Sequence, residues 1–527
     1  MVKWTYGVVA TLMCVGSLGA CSSRDNEVVE VPVDLSPGAP IQDEADWVPE
    51  PVAACSLRPT VRTAEDCVSL DAFDLSGCDI QSLHGLDTSG VFNTRVLTAA
   101  TATLPASSTM GSSYFEIDPA PGPASEGHPM YWSSSFPYPD GRLSVFAEVG
   151  CVARGPDRVT GCMLRCFGDD VPRVSTFEGV RVRRRQGETE SSGGLTLLGE
   201  AAIGEGMGMP VDIYVAKGHA YVVSIDSNNG PGGLSVFDLK DRAAPRLVKS
   251  VQLEGDGYWN GVWAKDNALY VASSDRGVIV FDITDAANPT FVRDLSGGSR
   301  LNIHTVFVAG NRLHAMATRG SVGTAIYDVT NAREPVRLGG HVNDSLGPSA
   351  VSYPHDATSL NHLLFVSHWN AGLLILDATD PSNVKRLGAY TPPHATSHTS
   401  RVAYINNNLI AFEAGEGWGS HLRVLNLNDP ANPTLIGEYK LSPEVSIHNM
   451  ELVGGRLYLT HYQHGVRVLD VSRPARPREL AYFNTWRETD PHYSGSPYIG
   501  AIGIRVPGDG YVYVVDTERG LLIFPVL

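Results

Sequence analysis

Gly277-Val278-Ile279-Val280-Phe281-Asp282-Ile283-Thr284-Asp285-Ala286-Ala287-Asn288-Pro289 is the stretch on which the fold turns. A glycine opens a short apolar run, an aspartate closes it, and a polar turn leads to proline. The apolar run is too short for a membrane span, and its β-branched and aromatic content with a flanking glycine reads as a strand. Versions of it recur along the chain: Val236-Phe237-Asp238 to Pro245, Ile326-Tyr327-Asp328 to Pro335, Leu376-Asp377 to Pro381, Leu425-Asn426 to Pro433 and Leu469-Asp470 to Pro477. The Asp or Asn returns every 44 to 49 residues, and five positions before it stands Gly233, Gly277, Gly323, Gly372 or Gly465, with His421 the exception. A further copy, Gly520-Leu521-Leu522-Ile523-Phe524-Pro525, ends the chain. A period of this length is the mark of a repeat architecture.

Upstream of each copy lies a two-residue hairpin between apolar strands, as in Tyr214-Val215-Ala216-Lys217-Gly218-His219-Ala220-Tyr221-Val222. Period-2 strands at this spacing give four strands per unit, the content of a propeller blade. The last copy lacks the strand after its proline. Leu195-Thr196-Leu197-Leu198-Gly199-Glu200 matches Pro433-Thr434-Leu435-Ile436-Gly437-Glu438 and supplies that strand from the other end of the repeat region. The expectation is an all-β protein in which residues 194–527 form a seven-bladed β-propeller, its last blade closed by the N-terminal strand. Such closure removes the exposed edges that open sheets must otherwise manage. The recurring turn aspartates invite a calcium reading, but Asp-x-[Thr/Ser] before a proline is turn chemistry in which the carboxylate accepts from nearby backbone N–H groups.

The repeat resembles the LVIVD-repeat family of bacterial and archaeal propeller proteins, most clearly in Ala268-Leu269-Tyr270-Val271-Ala272, Gly277-Val278-Ile279-Val280-Phe281-Asp282-Ile283 and Gly372-Leu373-Leu374-Ile375-Leu376-Asp377-Ala378-Thr379-Asp380-Pro381. The resemblance spans residues 194–527 and implies the fold. It implies little about activity, because that family has no single established one.

Ahead of the repeats the chain divides further. Lys3, an apolar stretch from Trp4 to Ala20 and then Leu18-Gly19-Ala20-Cys21 resemble a lipoprotein signal peptide with its lipobox, which implies cleavage after residue 20 and acylation of Cys21, palmitate included. Several acyl chains on one residue anchor a protein to a membrane without a span. Ser22, in place of an aspartate, points to the outer membrane if the source is Gram-negative, on its periplasmic face or at the cell surface. Residues 21–54, rich in acid and proline, read as an extended, self-repelling tether. Residues 55–185 read as a small β-domain of short strands, and 186–193 as a linker. Cys55, Cys67, Cys78, Cys151, Cys162 and Cys166 all fall in that domain, and an even number in an exported chain reads as three disulfides in any of fifteen pairings. Zinc is the weaker alternative for Cys162 and Cys166, which have no second pair of matching spacing.

The net charge of −17 argues against nucleic acid and anionic lipid as partners, since both need a positive surface. Arg181-Val182-Arg183-Arg184-Arg185, the one basic cluster, reads as a solvated strand end. No Gly-x-Ser-x-Gly, phosphate-binding glycine loop or His-Glu-x-x-His appears, and Gly415-Glu416-Gly417-Trp418-Gly419 reads as a flexible loop. The histidines carry more information. Aligning the first strand of each unit puts Val211, Asn260, His304, His355, Ser400 and His448 in one column, with His398 two residues before Ser400. Strict antiparallel pairing about the hairpins puts Ala317 opposite His304, His368 opposite His355, His461 opposite His448 and Glu413 opposite Ser400, and such partners lie about 5 Å apart. His219 and His314, near the hairpin turns, read as surface or packing residues.

First strands line the channel of a propeller, so His304, His355, His368, His398, His448, His461 and Glu413 are expected at its mouth, where the long loops 340–354, 391–398 and 484–498 (with Trp486, Arg487, Glu488, Asp490 and His492) also emerge. Nitrogen-rich sites of this kind suit copper, iron or zinc. Three readings stay open: a membrane-anchored extracytoplasmic propeller that binds a protein or glycan on its loop-rich face; a metal-dependent enzyme, an oxidoreductase by preference, at the channel mouth; or a passive propeller whose disulfide domain does the binding. A fourth, bland account of the histidines is that duplicated units each keep one that donates to a neighbouring carbonyl.

Overall fold

In a computed structural model the described residues are Leu35, 51–87, 91–98, 107–114, 128–185, 187–296, 301–318, 323–343, 352–394, 396–487 and 497–527. The signal segment, Cys21, nearly all of the tether, and Glu488, Asp490 and His492 lie outside them. The described chain is all-β apart from short 3₁₀ turns, and none of its helices is long and apolar enough to cross a membrane.

The cysteine-rich region forms one antiparallel sheet of six strands, in the order Ser107–Tyr114, Val91–Thr98, Arg173–Arg181, Arg158–Phe167, Leu143–Ala153, Tyr131–Pro137. Disulfides Cys55–Cys162, Cys67–Cys166 and Cys78–Cys151 select one of the fifteen pairings. All three run from the irregular segment 55–78 to the hairpin of Leu143–Ala153 and Arg158–Phe167. A segment with so few backbone ladders of its own is thereby held against the apolar face of the sheet, where Phe73, Val145, Val149 and Leu164 are buried. The domain begins slightly ahead of Cys55, since the Val52 amide donates to Thr176.

From residue 199 onward the chain builds seven antiparallel meanders. Six are consecutive, spanning 209–251, 259–294, 303–341, 356–390, 399–439 and 450–483. The seventh joins Ala501–Arg505, Tyr511–Asp516 and Gly520–Pro525 to the distant strand Gly199–Ala201, paired through Gly199 with Ile523 and Ala201 with Leu521. Second and third strands such as Ala268–Ser273 and Gly277–Asp282 bury nearly every side chain, which accounts for their continuous apolar runs. Fourth strands such as Thr290–Asp294 are mostly exposed. The first strand of each sheet packs on the first strand of the next, and that of the seventh packs on that of the first.

Two repeat signals acquire their physical cause here. Asp238, Asp282, Asp328, Asp377, Asn426 and Asp470 each accept, through Oδ1, the backbone N–H two residues on, at 2.7 to 3.0 Å. They are turn residues, not calcium ligands. The repeat glycine opens the third strand opposite the end of the fourth. At Gly372 (φ 85°) a Cβ would sit 2.0 Å from the Tyr390 carbonyl oxygen, and at Gly465 (φ 70°) 2.1 Å from that of Phe483. Both the positive φ and the close approach demand glycine. In the fifth sheet, where His421 stands instead, Gly417 and Gly419 take the positive φ values and the His421 ring bonds Glu438 at 2.9 Å.

Within the expected linker 186–193, Glu188 and Ser191–Ser192 are bound to the propeller sheets. Ser191–Ser192 adds a fifth strand to the sixth sheet, and Glu188 forms a two-pronged ion pair at 2.8 and 3.0 Å with Arg467, which is fully buried. Of the basic cluster, Arg181, Arg183 and Arg185 lie beside Asp87, Asp157 and Glu188.

Candidate functional site

All seven first strands, or the residues just before them, contribute to one cavity of about 240 Å³. Within it Arg505 pairs with Glu451 at 2.8 Å and lies 3.8 Å from Asp212, while Arg401 reaches Glu451 at 3.4 Å and Asp356 at 3.7 Å. Arg505 also lies over the Trp263 ring, 4.7 Å from its centroid. Burial pushes the Asp212 carboxyl upward, opposed by Arg505 and by the Val262 amide that donates to it.

His355, His398 and His448 bound the same cavity, and His304 stands behind His355. His304, His355, His398 and His448 form a continuous chain of rings, with successive centroids 4.2, 4.0 and 4.6 Å apart. Burial drives all four toward the neutral form, with neighbouring imidazoles adding to it at His304, His355 and His448: His304 and His398 go down to about 3, His448 to about 4, and His355 well below its ordinary value. Neutral imidazoles keep a lone pair for a proton or a metal. The Asn260 amide lies 3.1 Å from His304 Nε2, which lies 2.8 Å from His355 Nε2, and His448 Nδ1 lies 2.9 Å from the Ile502 carbonyl. His448 is therefore tied to a main-chain carbonyl, as the bland account has it. His355 Nδ1 and both ring nitrogens of His398 are buried without a hydrogen bond of good geometry among the described residues, while the main chain of His398 at the His355 ring and that of His448 at the His398 ring favour the charged forms as weak backbone hydrogen bonds do.

The column read from sequence is redistributed. Val211, Asn260, His304 and Ile502 each occupy the extra residue of a β-bulge in their first strands. Ala317 consequently pairs with Ile303, not with His304, and the bulge leaves the His304 ring free to meet His355. In the fifth sheet His398, not Ser400, reaches the cavity. Ser400 pairs with Glu413 as expected, but Glu413 is fully buried against Arg423, 2.8 Å from its Nε, and is not with the histidines. His368 and His461 immediately follow their second strands at equivalent positions and turn elsewhere: His368 Nδ1 to the Ser352 hydroxyl at 2.9 Å, His461 to the ring of His464.

In place of Glu413 the structure brings Glu416 to the site. Its carboxylate lies 3.8 Å from His398 Nε2 and accepts a short hydrogen bond from the Tyr462 hydroxyl. One ligand atom each of His355, His398 and Glu416 fall within 4.8 Å of one another. Burial raises the Glu416 carboxyl, offset in part by His448 and Tyr462. Around them stand aromatic rings: Trp369 stacks on Tyr353 at 5.3 Å and on His355 at 5.2 Å, and Tyr462 touches His448 at 5.2 Å and Tyr498 at 5.6 Å. Trp369 (φ 39°) and Tyr462 (φ 44°) both hold the left-handed conformation, three residues before a repeat glycine. Each is pinned to the entry of the next sheet, Trp369 by Ser397 and Tyr462 by Ala501. Sequence reading counted only the loops that join one sheet to the next. The turns between second and third strands emerge on the same face, and that is the signal by which Trp369, Glu416 and Tyr462 could have been found.

The described repeat region is thus an all-β protein of the propeller type, built from four-stranded meanders around a histidine-bounded cavity. The LVIVD repeat model matches residues 256–295 and 362–391, which fall on the second and fourth sheets, so the chain carries LVIVD repeats. No curated protein matches the chain significantly. Among solved structures it is similar to the WD40 β-propeller domain of Doa1 (12% identity, TM-score 0.44, 63% of this chain and 97% of that one). It is also similar to the β-propeller domain of Myceliophteria thermophila Cps50 (Swd1) (14%, 0.43, 61% and 98%) and to the computationally designed Ika8 protein (8%, 0.40, 63% and 99%).

Proposed function

We propose that this is an exported lipoprotein, acylated on Cys21, whose seven sheets are the blades of a closed propeller that binds a protein partner at the mouth of its channel. Export and anchoring rest on the lipobox and on three disulfides, which persist in oxidising compartments. The seven-bladed ring rests on the cyclic packing of first strands and on the pairing of Gly199–Ala201 with Gly520–Pro525.

The observation that carries the binding reading is the aromatic mouth: Tyr353 and Trp369 are partly exposed, Tyr498 is 36% exposed, and all three lie by the buried histidines. Tyrosine and tryptophan with one wet edge are the residues that anchor protein interfaces. The interaction module also fits the acidic surface, which offers nothing to nucleic acid.

The test is site-specific photo-crosslinking in the native membrane from Tyr498, with Trp369→Ala as the control and Cys21→Ser to report anchoring. A discrete protein adduct that weakens in Trp369→Ala, with Cys21→Ser released to the soluble fraction, supports the reading. An adduct abolished by soluble envelope glycan would transfer the site to a glycan ligand. Adduct patterns indifferent to Trp369 would end it.

A further inference from the structure

We propose that His355, His398 and Glu416 bind a divalent first-row transition metal ion through two imidazole nitrogens and one carboxylate oxygen, leaving other coordination positions open. This goes beyond partner binding at the mouth and stands on three observations.

The first is proximity. Ligands around one ion at about 2.0 to 2.2 Å must lie about 3 to 3.5 Å from each other. The three donors already share a 4.8 Å sphere, a gap that side-chain rotation of about an ångström closes.

The second is unpaired chemistry. Buried polar atoms without partners are rare, and each asks for a water, an ion or a functional cause. Here three ring nitrogens of two adjacent histidines lack a hydrogen bond of good geometry, the main chains of His398 and His448 being their nearest partners, beside a carboxylate only 11% exposed that has no Arg or Lys partner among the described residues. A cation answers both at once.

The third is an outer shell. Metal-binding histidines and carboxylates are oriented by further hydrogen bonds. His304 holds His355, and the Tyr462 hydroxyl holds Glu416, from a backbone in the strained left-handed region. Strain of that kind persists where surrounding structure enforces it.

The donor set decides the class of ion. Two imidazoles disfavour calcium and magnesium, which take oxygen ligands, and every described cysteine is in a disulfide, so no thiolate is at hand for a soft ion. Two histidines and one carboxylate is the set used for iron(II) and for catalytic zinc.

The experiment uses the full chain purified in detergent. Metal content as isolated is read by mass spectrometry; the stripped protein is then titrated with Co²⁺, read by visible absorption, and with Zn²⁺ in competition. The expected result is one Co²⁺ per chain with imidazole-type d–d bands, displaced by Zn²⁺. Binding should fall about tenfold to a hundredfold in Tyr462→Phe, as for loss of an outer-shell bond, and further in Glu416→Gln and His398→Ala. Glu416→Gln is nearly isosteric, so circular dichroism on it separates lost ligation from lost fold. A folded wild type that takes up no Co²⁺ overturns the proposal, as does uptake unchanged in a folded His398→Ala/Glu416→Gln double variant.

Discussion

Arg423 and Glu413 show why a residue type at the right register is not a site. Glu413 faces Ser400 as pairing rules require, yet a buried carboxylate must find a cation, and Arg423 supplies two N–H bonds to it from the neighbouring strand. Both side chains are essentially inaccessible. Removing one partner of such a pair strands a buried charge, at a cost of about 3–5 kcal/mol, whereas replacing both by apolar residues of similar volume is near neutral. Arg423→Met should therefore destabilise strongly in urea unfolding, and Arg423→Met/Glu413→Leu should recover most of the loss; equal destabilisation by single and double variants would contradict this. A second expectation concerns acid. His314 is buried, stacks on Phe307 at 4.5 Å with rings 7° apart, and is pushed down to about 3 by burial. An ordinary histidine titrates near 6.5, so between about 6.5 and 3 the unfolded chain takes up a proton that the folded chain refuses. Stability is then full above about pH 6.5 and falls as pH drops through that window, by up to about 1.4 kcal/mol per pH unit for each such residue. His314→Phe, which keeps the stacking, should flatten the fall in unfolding free energy between pH 6.5 and 4. An unchanged slope would assign the acid lability to the other buried histidines.

At the scale of strands and turns, the repeat was readable because its constraints are local. Two-residue hairpins, the Asx turn and the glycine that opens each third strand are dictated by a few dihedrals and one close contact, and the sequence shows them directly. Gly372→Ala tests this: its Cβ would collide with the Tyr390 carbonyl at a φ alanine resists, so a loss of about 2 kcal/mol or more in unfolding free energy is expected. Gly218→Ala, at a positive φ with open space around it, should cost about 1 kcal/mol. The site was less readable. Perfect alternation cannot reveal a β-bulge, and one bulge is enough to move Ala317 from His304 to Ile303. Nor does alternation apply beyond the end of a ladder: His368 and His461 lie just past their last paired residues, where turn geometry directs the side chains. Glu416 sits in a turn whose composition reads as flexible, and Trp369 and Tyr462 in turns of their own; the packing of the latter two on the next sheet gives them fixed places.

For the molecule as a whole, the proposed ring makes stability depend on residues far apart in sequence. The strand Gly199–Ala201 contributes few residues, but it covers the edge of Gly520–Pro525, whose Leu521, Leu522, Ile523 and Phe524 are fully buried. Glu200 grips Arg519 with two bonds at 2.9 and 2.7 Å, and Leu195 packs in the same cluster as Phe524. Arg519 in turn donates to the Thr485 carbonyl, so the closure is linked to the sixth sheet as well. Substituting proline at Leu198 and Glu200 removes ladder donors and the ion pair without shortening the chain, and leaves an apolar strand with unpaired backbone groups. An edge of that kind templates association with another chain. The variant should therefore melt at least about 3 °C lower by calorimetry, roughly 2 kcal/mol for a domain of this size, and should form concentration-dependent oligomers by light scattering. Arg519→Met, which loses the ion pair but keeps the ladder, should lower the melting temperature and stay monomeric. Oligomers from both variants would mean that the ion pair alone holds the edge closed, and a monomeric, unshifted proline variant would mean that this strand closes nothing.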